Sequence, residues 1–534
     1  MIETLKRILI IAAVLAAAGL AVSCSRSTSE SADGGRDSSL PDASRADSGG
    51  DADSDEGPRC CAYLEWVVQG GGAGDDQGKG IDITETGSLI STGTIGSGAY
   101  IGGTEMENGG VFLAQYKSNG DPEWGRMAVE PSTGTDTFYG IDVKRTGDGS
   151  NVIVGYFVGT GTFGKYEDTE TTITSVGWQD LFIAKYSSKG DFEWVRHVGG
   201  FSFPSTEMIF EGGSLVLSDD GSIVVSGSFT DGATFGLGEP NETTLRSYGL
   251  GDAFVAKYAS DGSLIWARSP ADSVHTISKG VKVSQSGAIF LVGQYLKTAT
   301  FGKDEDTETP LTDESDGGQL FLAEYGSDGG LVWAKGTHGD GAVSPYSVET
   351  LADGSSIAVG GFDHTAIFGR GEKNETTLVS IYDNMISQPD YSQDIFIAKY
   401  QSDGTLAWVK TAGGVHTDFA EHVTATSDDS LFISGLVVWD STFGQGEPNE
   451  TTLEGYGLFI AQYSMDGTLS WAKLVSDTYG CNDMVISPEG SIFVIGDFLH
   501  ACFGLGGDPN EDCLQSQNAE EGDSDIFIAK FSPK

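Results

Sequence analysis

A hairpin word ending in tryptophan recurs along this chain and constrains its fold more than any other feature. It reads VFLAQYKSNGDPEW (111–124), LFIAKYSSKGDFEW (181–194), AFVAKYASDGSLIW (253–266), LFLAEYGSDGGLVW (320–333), IFIAKYQSDGTLAW (395–408) and LFIAQYSMDGTLSW (458–471). A further copy, DIFIAKFSPK (525–534), stops before its turn and its tryptophan. The tryptophans Trp124, Trp194, Trp266, Trp333, Trp408 and Trp471 are 70, 72, 67, 75 and 63 residues apart. Each interval therefore holds one supersecondary unit.

A second word fills every interval, from GIDITETGSLISTGTI (80–95) and GIDVKRTGDGSNVIVGYF (140–157) to MVISPEGSIFVIGDF (484–498). Each copy is a short β-rich run, a turn of Asp, Ser or Gly type and a second β-branched run, which reads as a hairpin. A unit thus holds four strands, A and B from this word, C from FIAKY and D around the tryptophan. Runs such as IFIA (395–398) are apolar on both faces, as in sheets that pack against neighbours on both sides. The predicted fold is all-β, a seven-bladed β-propeller with four antiparallel strands per blade. The A/B and C words number seven, but only six D strands follow a C strand. AYLEWVVQGG (62–71) holds Trp66 in a D context with no C strand before it, so the N-terminal strand is expected to complete the last blade and close the ring.

GIDITETGSLISTGT, TFG, DAFVAKY and DGSLIW resemble the bacterial SBBP-type seven-bladed β-propeller repeat over about residues 62 to 534. The resemblance implies the fold and leaves function open. The tryptophans are expected to pack between blades over the strand-B glycines Gly93, Gly155, Gly227, Gly293, Gly360, Gly435 and Gly496.

Between strands B and C stands an insert: TFGKYEDTETTI (162–173), TFGLGEPNETTL (234–245), TFGKDEDTETPL (300–311), IFGRGEKNETTL (367–378), TFGQGEPNETTL (442–453) and CFGLGGDPNEDCL (502–514). These read as small hairpins in which TFG faces TTL. In the last copy Cys502 and Cys513 replace the equivalents of Thr234 and Thr244, so they are expected to form a cross-hairpin disulfide. Cys481 is an alternative partner for either, and the partners of Cys60 and Cys61 stay open. At the tips Glu239, Asn241, Glu372, Asn374, Glu447 and Asn449 offer hard oxygen ligands of the kind Ca²⁺ prefers. The competing reading of the same residues is a repeated turn in which Asn and Glu make local hydrogen bonds.

Lys6 and Arg7 precede an apolar run, Ile8 to Val22, that ends at AVSC. The segment resembles a bacterial lipoprotein signal (1–23) in which Cys24 carries the lipid. Residues 24–59 are rich in Ser, Asp and Gly and nearly free of apolar side chains, so they are expected to be a disordered acidic tether, with the propeller over 60–534. The net charge of −48, from 30 basic and 78 acidic residues, excludes nucleic acid and leaves the lipid anchor as the sole membrane contact. The expected location is the bacterial cell envelope, outer membrane favoured, periplasmic or surface-exposed.

No G-x-S-x-G elbow, phosphate loop or metal-spaced histidine pair is present, and His275, His338, His416 and His422 are scattered. The first expectation is a monomeric, non-catalytic scaffold whose acidic loop-rich face binds a protein or a glycan. The alternatives are a propeller hydrolase or lyase acting on polysaccharide, with carboxylates and a histidine near the central channel, and a Ca²⁺-stabilised structural scaffold.

Overall fold

The computed structural model describes residues 63–532 apart from 85, 177–178, 200–212, 248, 382–391, 479, 504–511, 518 and 520–521. The signal segment, Cys24, the tether, Cys60 and Cys61 lie outside the described residues. Among the described residues there is no helix, and the chain is a succession of antiparallel sheets, an all-β, β-propeller-like fold.

The repeat words become strands in the expected order. Gln77–Ile83, Leu89–Ile95, Gly110–Tyr116 and Pro122–Pro131 are bonded each to the next. The same order recurs over 137–198, 214–268, 275–336, 343–412 and 419–476. The final set is composite: Asp483–Ile486, Ile492–Phe498 and Asp525–Ser532 are followed by Tyr63–Gly70. The expected pairing of the two distant segments is therefore present. Trp66 faces Lys530 and Leu64 faces Phe531 across a bulge. That is the register of Trp194 on Lys185, with Phe192 on Tyr186, inside an uninterrupted repeat. Polar contacts reinforce it, with Lys530 Nζ at 2.6 Å from Glu65 and the Gln69 amide donating to Asp525 at 2.7 Å.

Successive sheets bury apolar side chains against one another. Leu89–Ile95 packs on Thr137–Arg145, Thr137–Arg145 on Ser214–Leu217, Ile223–Phe229 on His275–Val283, and Ile289–Leu296 on Val343–Thr350. Phe419–Ala425 packs on Ser356–Phe362 and on Asp483–Ile486, and Gln77–Ile83 packs on Ile492–Phe498. The last contact joins the ends of the chain: Ile81, Leu89 and Phe112 share one core with Phe493, Ile495, Ile526 and Ile528, with Trp66 and Val68 at its edge. Each fully buried Ile or Phe contributes on the order of 2 kcal/mol.

The tryptophans do pack between sheets, but not over the strand-B glycines. Trp66, Trp124, Trp194, Trp266, Trp333 and Trp408 lie over Gly120, Gly190, Gly262, Gly329, Gly404 and Gly467, the turn glycines between strands C and D of the following repeat. A Cβ there would stand 2.6–3.1 Å from the ring, at φ between 78° and 84°. Several indoles also donate to a carbonyl of that turn, Trp66 to Ser118 at 3.3 Å, Trp266 to Ser327 at 3.1 Å, Trp333 to Ser402 at 3.3 Å and Trp408 to Met465 at 3.3 Å. The strand-B glycines instead make room for the strand-A backbone and a strand-C phenylalanine. A Cβ on Gly155 would lie 2.1 Å from the Tyr139 carbonyl oxygen and 2.6 Å from Phe182.

Trp66→Ala should therefore cost about 3 kcal/mol, read as a lowered denaturant midpoint. Deleting residues 60–70 should melt every sheet early, whereas deleting 25–58 should leave the midpoint unchanged. A 60–70 deletion that melts like the parent removes the seam.

Candidate functional site

Two regions concentrate polar side chains: the inserts, and the line where the first strands of successive sheets meet. The inserts are hairpins, as expected. Thr162 faces Thr172, Thr234 faces Thr244 and Thr442 faces Thr452, and in the last copy Cys502 faces Cys513. That last pair is disulfide-bonded. Cys481 is not its partner; it is a buried free thiol with its sulfur 3.2 Å from the Ser434 hydroxyl. Ala99–Ile101 with Thr104–Met106 is a shorter hairpin at the same place in the first repeat.

Each hairpin is fastened on both sides. In the six longer copies a phenylalanine packs tilted or edge-on against the strand-C ring of its own repeat, as Phe235 does on Phe254 at 5.0 Å and Phe443 on Phe459 at 4.9 Å. The hairpin's first strand bonds the exit of the preceding repeat, as in Gly71 with Tyr100, Gly199 with Thr234, Ala271 with Thr300 and Gly413 with Thr442.

The tip residues expected to form a ligand ring point their polar atoms at the chain. Glu239, Glu372 and Glu447 accept the backbone N–H of Leu264, Leu406 and Leu469 at 2.6, 2.6 and 2.7 Å. Asn241, Asn374 and Asn449 donate to the carbonyls of the same three leucines at 3.1, 3.1 and 3.2 Å. Lys335 and Lys410, from the preceding repeats, hold the second oxygens of Glu372 and Glu447 at 2.8 Å. Burial raises Glu447, and Lys410 with the Leu469 N–H outweighs it, so its carboxyl stays below the usual range. The six residues are spread over three inserts, one Glu and one Asn on each. Among the described residues, the one grouping with metal-holding spacing is Asp477, His500 and Cys502, whose sulfur is already in the disulfide.

The second region was not anticipated residue by residue. Lys144 lies 2.7 Å from Asp142 and 3.6 Å from Asp483, thereby joining strands from both ends of the chain. His422 stands 3.8 Å from Asp483, and Lys282 pairs with Glu349 at 3.1 Å. Two carboxylates and an enclosed histidine thus converge, the arrangement expected of a propeller enzyme. Their oxygens, however, are taken by the neighbouring strand. Asp483 accepts the Ile81 N–H at 3.0 Å, Asp82 that of Arg145 at 2.6 Å, and Asp142 that of Leu215 at 2.9 Å. Burial pushes Asp142 up to about 6, against Lys144, and lowers His422.

The only sequence signal for this cluster was the shared word GID, and it misleads. Gly78 pairs with Gly93 as Gly140 pairs with Gly155, so Gly80 matches Asp142 and Asp82 matches Lys144.

Fold and site together define the class: an all-β, β-propeller-like repeat protein whose polar groups chiefly brace successive sheets. No family model matches the chain. It is 23% identical over 388 residues to an uncharacterized WD repeat-containing protein, L264, of Acanthamoeba polyphaga mimivirus, covering 61% of this chain and 27% of that one. It is 25% identical over 260 residues to the regulatory protein FlaEY of Caulobacter vibrioides, covering 48% and 25%. The chain therefore spans about a quarter of the length of these curated relatives. A Dyadobacter fermentans protein of unknown function aligns with a TM-score of 0.35 and 11% identity over 76% of this chain and 100% of that one; at that score the likeness carries no weight.

Buried carboxylates link stability to pH. Burial pushes Asp394 and Asp418 up to about 7, more than their N–H donors lower them, and the charge of Asp418 raises Asp394 further. The unfolded chain releases these protons in the ordinary carboxylate range and the folded chain holds them to about 7. Stability should therefore fall as pH rises through that window, by on the order of a few kcal/mol, and Asp394→Asn should flatten the slope. A melting temperature that rises from pH 5 to 8 contradicts the assignment.

The thiols give a simpler check. A non-reduced peptide map should recover the 502–513 link, and Cys481 should alkylate only in denaturant.

Proposed function

We propose that the sheets are the seven blades of a closed β-propeller of the SBBP-repeat type, lipid-anchored through Cys24 outside the cytoplasm. In this reading it is a monomeric, non-catalytic scaffold that binds a protein or glycan through its loop-rich face. The observation that carries it is the use made of the carboxylates. Where the first strands meet, Asp82, Asp142 and Asp483 accept neighbouring backbone N–H groups, and Lys144 neutralises two of them. A general acid or base needs an oxygen free to reach substrate; these oxygens brace the ring. The same use of Glu239, Glu372 and Glu447 supports a scaffold that stands without Ca²⁺. Residues 1–23 are then a signal peptide, and the anchor lies in the cell envelope, with the outer membrane favoured.

Captured on the full chain, a binding partner should saturate at fixed stoichiometry and be recovered chemically unchanged. Recovery of a shortened polysaccharide would instead establish the hydrolase or lyase. Cys24→Ser should move the protein from the membrane fraction to the soluble one, and a chelator should leave the melting temperature unchanged.

A further inference from the structure

The corner between strand B and the insert is left-handed in five successive repeats, at Gly159, Asp231, Lys297, His364 and Trp439, with φ between 51° and 90°. Glycine and short polar residues tolerate that backbone, whereas a bulky aromatic there is an outlier. Trp439 has no packing reason to occupy it, being 59% exposed.

Trp439 stands among exposed side chains whose backbone is held by hydrogen bonds. Its ring lies 6.5 Å from that of His416, and Val415 and Ile381 are also exposed. Buried carboxylates hold the backbone at or beside these positions. Asp418 accepts the N–H groups of Gly414 and Val438 at 2.9 and 2.8 Å and the Ser441 hydroxyl at 2.7 Å. Asp394 accepts the Ile381 N–H at 2.7 Å. The Ser392 hydroxyl lies 3.1, 3.3 and 3.2 Å from the carbonyls of Ile381, Val415 and His416. A platform held in this way loses little conformational freedom on binding.

We infer that Trp439, His416, Val415 and Ile381 form a binding platform for a neutral carbohydrate. A pyranose lays its C–H face on the indole, Val415 and Ile381 extend the apolar floor, and the exposed Asp440 accepts sugar hydroxyls. Charge and size select this occupant. A net charge of −48 repels anionic chains. A standard protein partner needs about 800 Å² per side, far more than four side chains offer, whereas one or two sugar rings fit them. A cationic peptide meets acidic surface everywhere on the chain and has no need of the indole.

This inference deepens the scaffold reading and rests on it. Isothermal titration of the full chain with cellohexaose, chitohexaose, maltohexaose and laminarihexaose, and with nonalysine for comparison, tests it. At least one hexasaccharide should bind saturably. Trp439→Ala should weaken that binding about tenfold or more, Trp439→Tyr should retain most of it, and Val415→Ser should weaken it moderately. Trp439→Gly should abolish it without lowering the melting temperature, because glycine suits the left-handed corner. Failure of all four sugars overturns the platform, as does Trp439-dependent binding of nonalysine alone. Sugar binding unaffected by Trp439→Ala overturns the platform while leaving the scaffold reading intact.

Discussion

The indole of one repeat resting on the turn glycine of the next is the contact on which the other features depend. It sets the spacing of the repeats, since each strand D must present its tryptophan where the following turn arrives. It also bars a larger residue from that left-handed turn position, where a Cβ would meet the ring. The seam tests this logic from both sides. Trp66, on a strand from the other end of the chain, docks on Gly120 like its counterparts. Trp471 faces a composite sheet whose last two strands are far apart in sequence and share no tight turn. Its indole instead donates to Gln462 of its own sheet at 2.6 Å.

The acidic composition takes on a structural meaning in this frame. Strands packed face to face leave backbone N–H groups at corners and strand starts with no ladder partner, and carboxylates supply acceptors there. Glu239, Glu372 and Glu447 cap the start of strand D, Asp82, Asp142 and Asp483 join adjacent first strands, and Asp394 and Asp418 tie loops. The cost is that several of these acids are buried and hold their protons to unusually high pH.

The architecture was legible because it is repeated: the order of strands, the insert hairpins, the cysteine pair replacing a threonine pair and the composite last sheet all follow from comparing copies of one word. What comparison could not supply was register across a bulge. GID at 80–82 and GID at 140–142 look equivalent, yet the two strands differ by two positions, so the convergence of Asp142, Lys144 and Asp483 was hidden. The docking glycines were misassigned for a related reason. Both sets recur once per repeat, and only the path of strand D shows which set the indole reaches. Trp439 was invisible because a left-handed corner is a property of backbone angles, and the sequence there varies from Gly to Trp.

The central claim is that the strand 63–70 is an integral fourth strand of the last sheet. Amide hydrogen exchange tests it most directly at Val67 and Val68, which pair with Ala529 and Ile528. Each should be protected to the same degree as its counterpart inside an uninterrupted repeat, Val67 as Val409, which pairs with Ala398, and Val68 as Lys410, which pairs with Ile397. Exchange of both Val67 and Val68 at the rate of a frayed terminus, while whichever of Val409 and Lys410 turns its N–H to the neighbouring strand stays protected, would contradict it.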